Sequence, residues 1–125
     1  MKRNWDQIRE ILIRLEEATT TDDFLRLSSF PQERAHEISY HVELLIEAGL
    51  INGHMSKTLG RGPHDFFVAR LTWNGLEFLD AIRSNTIWQK TKSSFASQGL
   101  SMTFDLVKTV AIDLASTYLK SITSG

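Results

Sequence analysis

The chain contains no cysteine, and no stretch of it is both apolar and long enough to cross a bilayer. The missing cysteine excludes disulfides, a thiol nucleophile and a thiolate zinc site. A membrane-spanning helix needs about 20 consecutive apolar residues, so we expect no membrane partner. The basic first residues are not followed by an apolar run, which argues against a signal peptide. We therefore expect a cytoplasmic protein, because a chain without cysteine suits a reducing compartment.

An excess of charge of either sign is also missing. The 125 residues include 14 lysines and arginines and 15 aspartates and glutamates, which gives a net charge of −1. Such a chain has no global attraction to nucleic acid, so any DNA binding has to come from local basic patches. Hydrophobic residues make up 42% of the chain, which is typical of an ordinary globular domain.

The spacing of apolar residues predicts a first helix over residues 5–18. Trp5, Ile8 and Leu12 share one face of this helix. Asn4 is a good N-cap, and Gln7 three residues later completes the pattern of a capping box.

Residues 22–30 are open to two interpretations. Asp22 and Asp23 after a threonine have the pattern of a helix start, which would supply the first helix of a helix-turn-helix. Residues 24–28 also fit a short strand with Leu25 and Leu27 facing inward. The segment is too short for both a helix and a turn, so we favour the strand.

A second helix is predicted over residues 31–48, because proline is tolerated in the first turn of a helix. Ile38, Val42 and Leu45 form its buried stripe. His41 lies at the edge of that stripe, where we expect it to bond to backbone. Gly49 is placed to end the helix in a left-handed conformation.

A hairpin follows this helix. Residues 50–53 and 66–71 are predicted strands, and residues 54–65 between them are too rich in glycine and proline for regular structure. Thr72 is the expected cap of the next helix, which reaches residue 84.

Two further helices are predicted at the C-terminal end. Thr86 and Gln89 have the spacing of a capping box, and Gly99 ends the helix that they begin. The last helix is expected over residues 104–122, where apolar residues alternate at spacings of three and four.

The order helix, strand, Gly-rich hairpin, strand and helix is the plan of a winged helix. We expect a mainly α fold with a small β-hairpin wing, in which a winged helix-turn-helix-like domain is followed by two C-terminal helices. Residues 1–84 would form the winged-helix-like core. Residues 85–125 would form a helical extension packed on the core or on a second copy, within a single compact unit.

The second helix occupies the place of a recognition helix, which presents outward residues to the major groove. Residues 31–53 contain four glutamates and one arginine, so this helix would repel the phosphates of DNA. An ordinary solvated or protein-facing helix is therefore an equally good interpretation. The hairpin loop is basic and would reach phosphates or the minor groove, or would merely be a soluble surface loop. The DNA-contact candidates are Arg34, His36, Ser39, Tyr40, Lys57 and Arg61.

The last helix is the expected contact surface for a second copy, because its apolar arc exceeds half of its circumference. A homodimer would match a two-fold DNA operator. The alternative is a helix that closes the core of its own chain. The dimer-contact candidates are Phe104, Val107, Ala111, Leu114 and Tyr118.

The sequence contains no motif for a metal site, a cofactor or catalysis. His36 and His41 point about 140° apart on one helix, and His54 and His64 flank a loop without a third ligand, so we expect no metal site. The chain has no phosphate-binding Gly-Lys-Ser/Thr loop and no Gly-x-Ser-x-Gly turn. We therefore predict no catalytic residues, no cofactor and no enzyme activity.

Three blocks of the chain, residues 1–12, residues 40–51 and residues 70–83 with 86–88, resemble a family of short bacterial and prophage proteins that is classed as a domain of unknown function. The resemblance covers nearly the whole chain. It implies a winged-helix-like fold and brings no assigned activity and no known site residues.

A second resemblance covers about a third of the chain. The Ala48-Gly49-Leu50-Ile51 end of the second helix and the Leu71-Thr72-x-x-Gly75 turn look like parts of arsenical-resistance and multiple-antibiotic-resistance type repressors. These motifs describe winged-helix packing more than DNA contacts. The acidic second helix departs from those repressors, and the missing cysteine removes the thiolate metal sensor that some of them carry.

Two functional hypotheses follow. The first is a small winged-helix DNA-binding protein, a transcription regulator of a prophage or mobile element, which binds double-stranded DNA as a homodimer. The second is a non-catalytic winged-helix adaptor that binds a host or phage protein. The two are separated by the charge of the outer face of the second helix.

Overall fold

Five α helices and one two-stranded antiparallel hairpin make up the part of the chain that a computed structural model describes, residues 1–56 and 60–123. This architecture confirms the predicted mainly α fold with a small β hairpin. The elements are α1 (Trp5–Glu16), α2 (Ala35–Glu47), β1 (Ile51–Ser56), β2 (Asp65–Leu71), α3 (Trp73–Ile82), α4 (Asn85–Gln98) and α5 (Phe104–Thr123).

The chain divides into two compact units, Met1–Glu77 and Phe78–Gly125. The division falls within α3, several residues before the boundary that was expected at residue 84. That sequence-based boundary stays a prediction.

Helix α1 begins at its predicted cap. The Asn4 side chain accepts a hydrogen bond of 3.1 Å from the Gln7 N–H. The reciprocal half of the predicted capping box is wrong, because the Asn4 N–H donates to Nε2 of His41 at 2.7 Å. The Gln7 amide donates instead to the carboxylate of Glu37. His41 of α2 therefore caps the N-terminus of α1 together with Asn4, and the bond from Gln7 to Glu37 joins the two helices.

The segment before α2 contains no α helix. The N–H and C=O of Leu25 both bond to Val68 of β2, at 2.9 and 3.0 Å, so the favoured strand exists as one antiparallel bridge. Two short 3₁₀ turns follow, Leu27–Ser29 and Gln32–Arg34, and α2 starts only at Ala35. The predicted start of α2 near residue 31 is wrong, because a 3₁₀ turn occupies Gln32–Arg34. Such turns are frequent at the N-terminal end of an α helix.

The connection from α2 to β1 is fastened to the start of α3. Gly49 has φ 74° and ends α2 as predicted, and the Leu50 N–H bonds back to the Leu45 carbonyl at 3.0 Å. The Thr72 N–H donates to the Leu50 carbonyl at 3.0 Å, and the Thr72 hydroxyl donates to the Gly49 carbonyl at 2.6 Å. That hydroxyl also accepts the Gly75 N–H at 3.1 Å, which confirms Thr72 as the cap of α3.

The hairpin pairs Ile51 with Leu71 at its base and Ser56 with Asp65 near its loop. A bulge lies between Asn52 and Gly53. Gly53 is required there, because a Cβ atom would collide with backbone of β2.

The core of the first unit is built from the predicted stripes. The stripe Ile38, Val42 and Leu45 is at most 2% exposed, which confirms the predicted helical phase of α2. The other buried apolar residues in this unit are Ile8, Ile11, Leu12, Leu15, Phe30, Leu50, Ile51, Phe66, Val68 and Leu71.

In the second unit, α4 begins two residues earlier than its predicted cap implies. Ser84 is its N-cap and accepts the Ile87 N–H at 3.2 Å, so the predicted capping box at Thr86 is wrong. Gly99 ends α4 with φ 65°, as predicted. Helix α5 packs against α4 and extends one residue beyond its predicted end.

Candidate interaction surface on α2 and the hairpin loop

The solvent-facing side of α2 is acidic. His36, Tyr40, Glu43 and Glu47 recur at helical spacing opposite the buried stripe, and we call these four residues the outer ridge. His36 and Glu47 are exposed, while Tyr40 and Glu43 are partly exposed. The outer ridge therefore presents two carboxylates and no side chain with a permanent positive charge.

Arg34, the one arginine of the α2 region, is paired with α1. Its guanidinium makes two hydrogen bonds to the Glu10 carboxylate, at 2.8 and 3.2 Å. The hydrogen bonding of the Arg34 guanidinium to the Glu10 carboxylate is the main reason that the pKa of Arg34 is raised. A guanidinium held by both oxygens of a carboxylate has fewer N–H donors left for a phosphate, and the carboxylate offsets part of its attraction to one.

Ser39 does not face outward, so its predicted orientation is wrong. The side chain is 6% exposed, and its hydroxyl donates to the His64 carbonyl at 2.7 Å. Ser39 lies about 100° around the helix from Ile38, on the side that meets the hairpin loop. Its role in the fold is to tie α2 to that loop.

Arg61 lies in the hairpin loop, and it is exposed between two glycines with positive φ. Its guanidinium is therefore open to a partner, as the sequence predicts. Lys57, the other candidate in this loop, lies outside the described residues. The structure thus leaves His36, Tyr40 and Arg61 as the accessible members of the DNA-contact set within the described residues.

His41 is a structural residue, as predicted for a histidine at the edge of the core. It is 1% exposed, and Nε2 accepts the Asn4 N–H. Nδ1 lies 2.7 Å from the Glu37 carbonyl, so the two partners assign the hydrogen to Nδ1. Both ring nitrogens are engaged, and the described residues contain no group of three His, Asp or Glu side chains that would hold a metal.

An apolar groove lies between the 3₁₀ turns and the end of the hairpin loop, beside the first turn of α2. Its volume is about 530 Å³. The sequence does not predict this groove, because the groove lies where two tight turns replace the expected regular elements. It is lined by Leu27, Ser28, Phe30, Gln32, Ala35, Pro63 and Asp65.

Asp65 holds the two walls of this groove together. Its Oδ1 accepts the Leu27 N–H at 3.0 Å and the Phe66 N–H at 2.8 Å. These two hydrogen bonds lower the pKa of Asp65, and the bond from Leu27 contributes more than the bond from Phe66. The carboxylate therefore acts as a charged clamp between the first turn and β2.

Replacing Asp65 by asparagine is expected to lower the melting temperature at neutral pH, because the amide oxygen carries no charge. The folded pKa is depressed, so the stabilisation is present above the ordinary value of 3.8 and is lost as pH falls through the folded pKa. Thermal melts of both proteins should therefore approach each other as pH falls from neutral to below 3.8. Asp22→Asn, at an exposed position with the same charge change, is the control. Equal melting temperatures of Asp65→Asn and wild type at neutral pH would contradict the clamp.

The predicted dimer contacts divide along α5. Val107 and Ala111 are fully buried within the chain, and Phe104 packs on Phe78 with ring centroids 4.7 Å apart. Leu114 is partly exposed, and Tyr118 is 51% exposed. Contact with a second copy stays a prediction for the last two alone, because the first three are occupied within the second unit or buried.

Comparison with known proteins places the chain among uncharacterised relatives. An uncharacterized protein of Haemophilus influenzae is 38% identical over 120 residues, which cover 95% of this chain and 99% of the relative. No solved structure matches the chain. None of the described helices has the length and apolar character to span a membrane. The family model for the hypothetical proteins DUF2513 matches residues 2–101, and the chain belongs to that family.

Proposed function

We propose that this protein is a non-catalytic winged-helix module that binds a basic surface of another protein through the outer ridge of α2. The order of α1, the Leu25 bridge, α2, the hairpin and α3 supports the winged-helix interpretation. One observation carries the choice of partner. The outer ridge has two carboxylates, of which that of Glu47 is exposed, while Arg34 beside it is paired with Glu10.

Electrostatics favours a protein partner over duplex DNA. Most non-specific affinity for DNA comes from lysine and arginine side chains that neutralise phosphates. A recognition helix with Glu43 and Glu47 on its outer ridge would bring like charges together. The same two carboxylates complement lysine and arginine side chains of a protein partner, and such complementarity sets both specificity and association rate.

Duplex DNA is the second candidate, as the target of a prophage-type transcription regulator. It is favoured by the accessible His36 and Tyr40, which are able to donate hydrogen bonds to phosphates or bases. Arg61 on the exposed loop would add a backbone contact. This candidate requires the hairpin loop to supply most of the affinity.

The test compares two probes, immobilised poly-L-lysine and a random-sequence duplex DNA, over the same salt series. We expect binding to poly-L-lysine that weakens with salt, and no binding to the duplex even at low salt. The double variant Glu43→Gln, Glu47→Gln should weaken poly-L-lysine binding. Glu17→Gln with Asp22→Asn makes the same change in net charge at exposed positions outside α2 and should have a smaller effect.

Binding to the duplex would be an equally clear result in favour of DNA. Duplex binding whose logarithm falls steeply with the logarithm of salt would overturn the protein-binding proposal and support DNA. In that case Arg61→Ala should reduce the slope by about 0.9, the expected contribution of one phosphate contact. An unchanged slope in this variant would show that the loop does not touch phosphates.

A further inference from the structure

We infer that the apolar groove beside α2 is the anchor pocket of this interaction surface, and that it takes a large apolar side chain followed by a lysine or arginine of the partner. This inference rests on the proposed function, because it names the chemistry of the segment that the acidic surface would bind. Its lining residues come from the two 3₁₀ turns and Phe30 between them, the start of α2, the end of the hairpin loop and the start of β2.

The size and the lining of the groove suit a side-chain anchor. Its volume of about 530 Å³ lies within the range of pockets that hold small ligands. Leu27, Phe30, Ala35 and Pro63 supply the apolar part of the lining. Binding energy at protein interfaces is concentrated where a large side chain fills such a desolvated pocket.

The walls of the groove are held in place without a partner. Asp65 ties the Leu27 amide to β2, and Ser39 ties α2 to the hairpin loop at His64. The guanidinium of Arg14 donates to the Ser29 carbonyl at 3.0 Å and lies 4.5 Å from the centre of the Phe30 ring. A preformed pocket loses little conformational entropy on binding, so a short peptide segment is sufficient to occupy it.

Acidic residues at the edge of the groove favour a lysine or arginine next to the apolar side chain of the partner. Asp65 is exposed on the wall, and exposed Glu33 follows Gln32 on the α2 side. Arg34 is paired with Glu10, and the Arg26 guanidinium, which lies near Asp65, sits 5.5 Å from the centre of the Phe24 ring.

Arg61 is an exposed cation on the other side, two residues before Pro63. Glu33 thus lies on the α2 side of the groove, whereas the hairpin side has both the carboxylate of Asp65 and the cation of Arg61. A partner lysine or arginine that follows the anchor should therefore point toward α2 and the outer ridge.

The test is an amide NMR titration of the full chain with acetyl-Trp-Lys-Lys-amide. We expect the largest shifts at the amides of Leu27, Ser28, Gln32 and Ala35, which line the groove. Acetyl-Ala-Lys-Lys-amide lacks the anchor, and acetyl-Trp-Glu-Glu-amide reverses the charge. Each of these should bind roughly tenfold more weakly, the effect of losing one good anchor or charge contact.

Two pairs of variants sharpen the result. Ala35→Leu fills the groove and should abolish the shifts, whereas Ala48→Leu at the exposed end of the same helix should leave them unchanged. Glu33→Gln should weaken binding of the lysine peptide, and Arg61→Gln should strengthen it. Equal binding of the lysine and glutamate peptides, or shifts that Ala35→Leu does not remove, would overturn the inference.

The two proposals fail in distinguishable ways. If poly-L-lysine binding depends on Glu43 and Glu47 but the tripeptide shifts no groove amide, the groove is overturned and the outer ridge is supported. If the tripeptide binds in the groove but the double variant does not weaken poly-L-lysine binding, the groove is supported and the ridge is overturned.

Discussion

Replacing Gly75 by alanine is expected to destabilise the protein, although the same change inside a helix normally stabilises it by about 1 kcal/mol. Gly75 lies in the first turn of α3, where its Cα rests on the backbone of Leu50. A Cβ atom would fall well inside van der Waals contact with the Leu50 carbonyl oxygen and 3.0 Å from the carbonyl carbon. That oxygen accepts the Thr72 N–H, so moving it would also weaken the cap of α3.

We expect a loss of about 1–3 kcal/mol in the free energy of unfolding, the usual cost of forcing atoms into a filled site. Urea unfolding of the variant and the wild type measures this difference. Asn74→Ala, at the exposed neighbouring position in the same turn, is the control and should be neutral or slightly stabilising. A Gly75→Ala variant as stable as wild type would show that α3 does not approach Leu50 so closely.

The contact of Gly75 with Leu50 also explains why two separate sequence motifs occur in the same chain. The Ala-Gly-Leu-Ile and Leu-Thr-x-x-Gly motifs are far apart in the chain, yet they meet through Gly49, Leu50, Thr72 and Gly75. Each motif has a local reason, a left-handed helix end and a helix cap. Their mutual contact is a long-range feature, and for that reason neither motif predicts it alone.

Elements governed by local rules could be predicted from sequence. The stripe Ile38, Val42 and Leu45 follows from helical periodicity, and the helix ends at Gly49 and Gly99 follow from the freedom of glycine at positive φ. The boundaries and orientations that failed depend on distant partners. The predicted capping box at Gln7 lost to His41 of α2, which offers a better-placed acceptor to the Asn4 N–H.

In the candidate site, too, the predictions that failed concern residues whose partners are distant in the sequence. Arg34 was predicted as a basic contact, but its partner Glu10 lies 24 positions earlier. Ser39 was predicted to face outward, but a loop carbonyl 25 positions later accepts its hydroxyl. Periodicity assigns a side chain to one side of a helix and contains no information on which distant element covers that side. His36 and Tyr40, which no neighbouring element covers completely, were the α2 candidates whose exposure could be predicted, as was that of Arg61 in the loop.

Leu45→Ala is expected to destabilise the protein far more than truncation of an exposed side chain of α2. Leu45 is 2% exposed in the core of the first unit, and its carbonyl accepts the Leu50 N–H at the end of the helix. Truncation removes buried methyl groups and leaves a cavity that rigid neighbours fill incompletely, which costs about 2–5 kcal/mol. The backbone hydrogen bond survives, so the loss should come from packing alone.

Glu47→Ala is the matched control for this prediction, because it truncates an exposed side chain at the end of the same helix. An acidic side chain near a helix C-terminus interacts unfavourably with the helix dipole, so its removal should be neutral or slightly stabilising, within about 0.5 kcal/mol. Urea unfolding monitored by circular dichroism measures both variants under one set of conditions. Small and equal effects at the two positions would contradict the helical phase of α2, and with it the assignment of His36, Tyr40, Glu43 and Glu47 to its outer ridge.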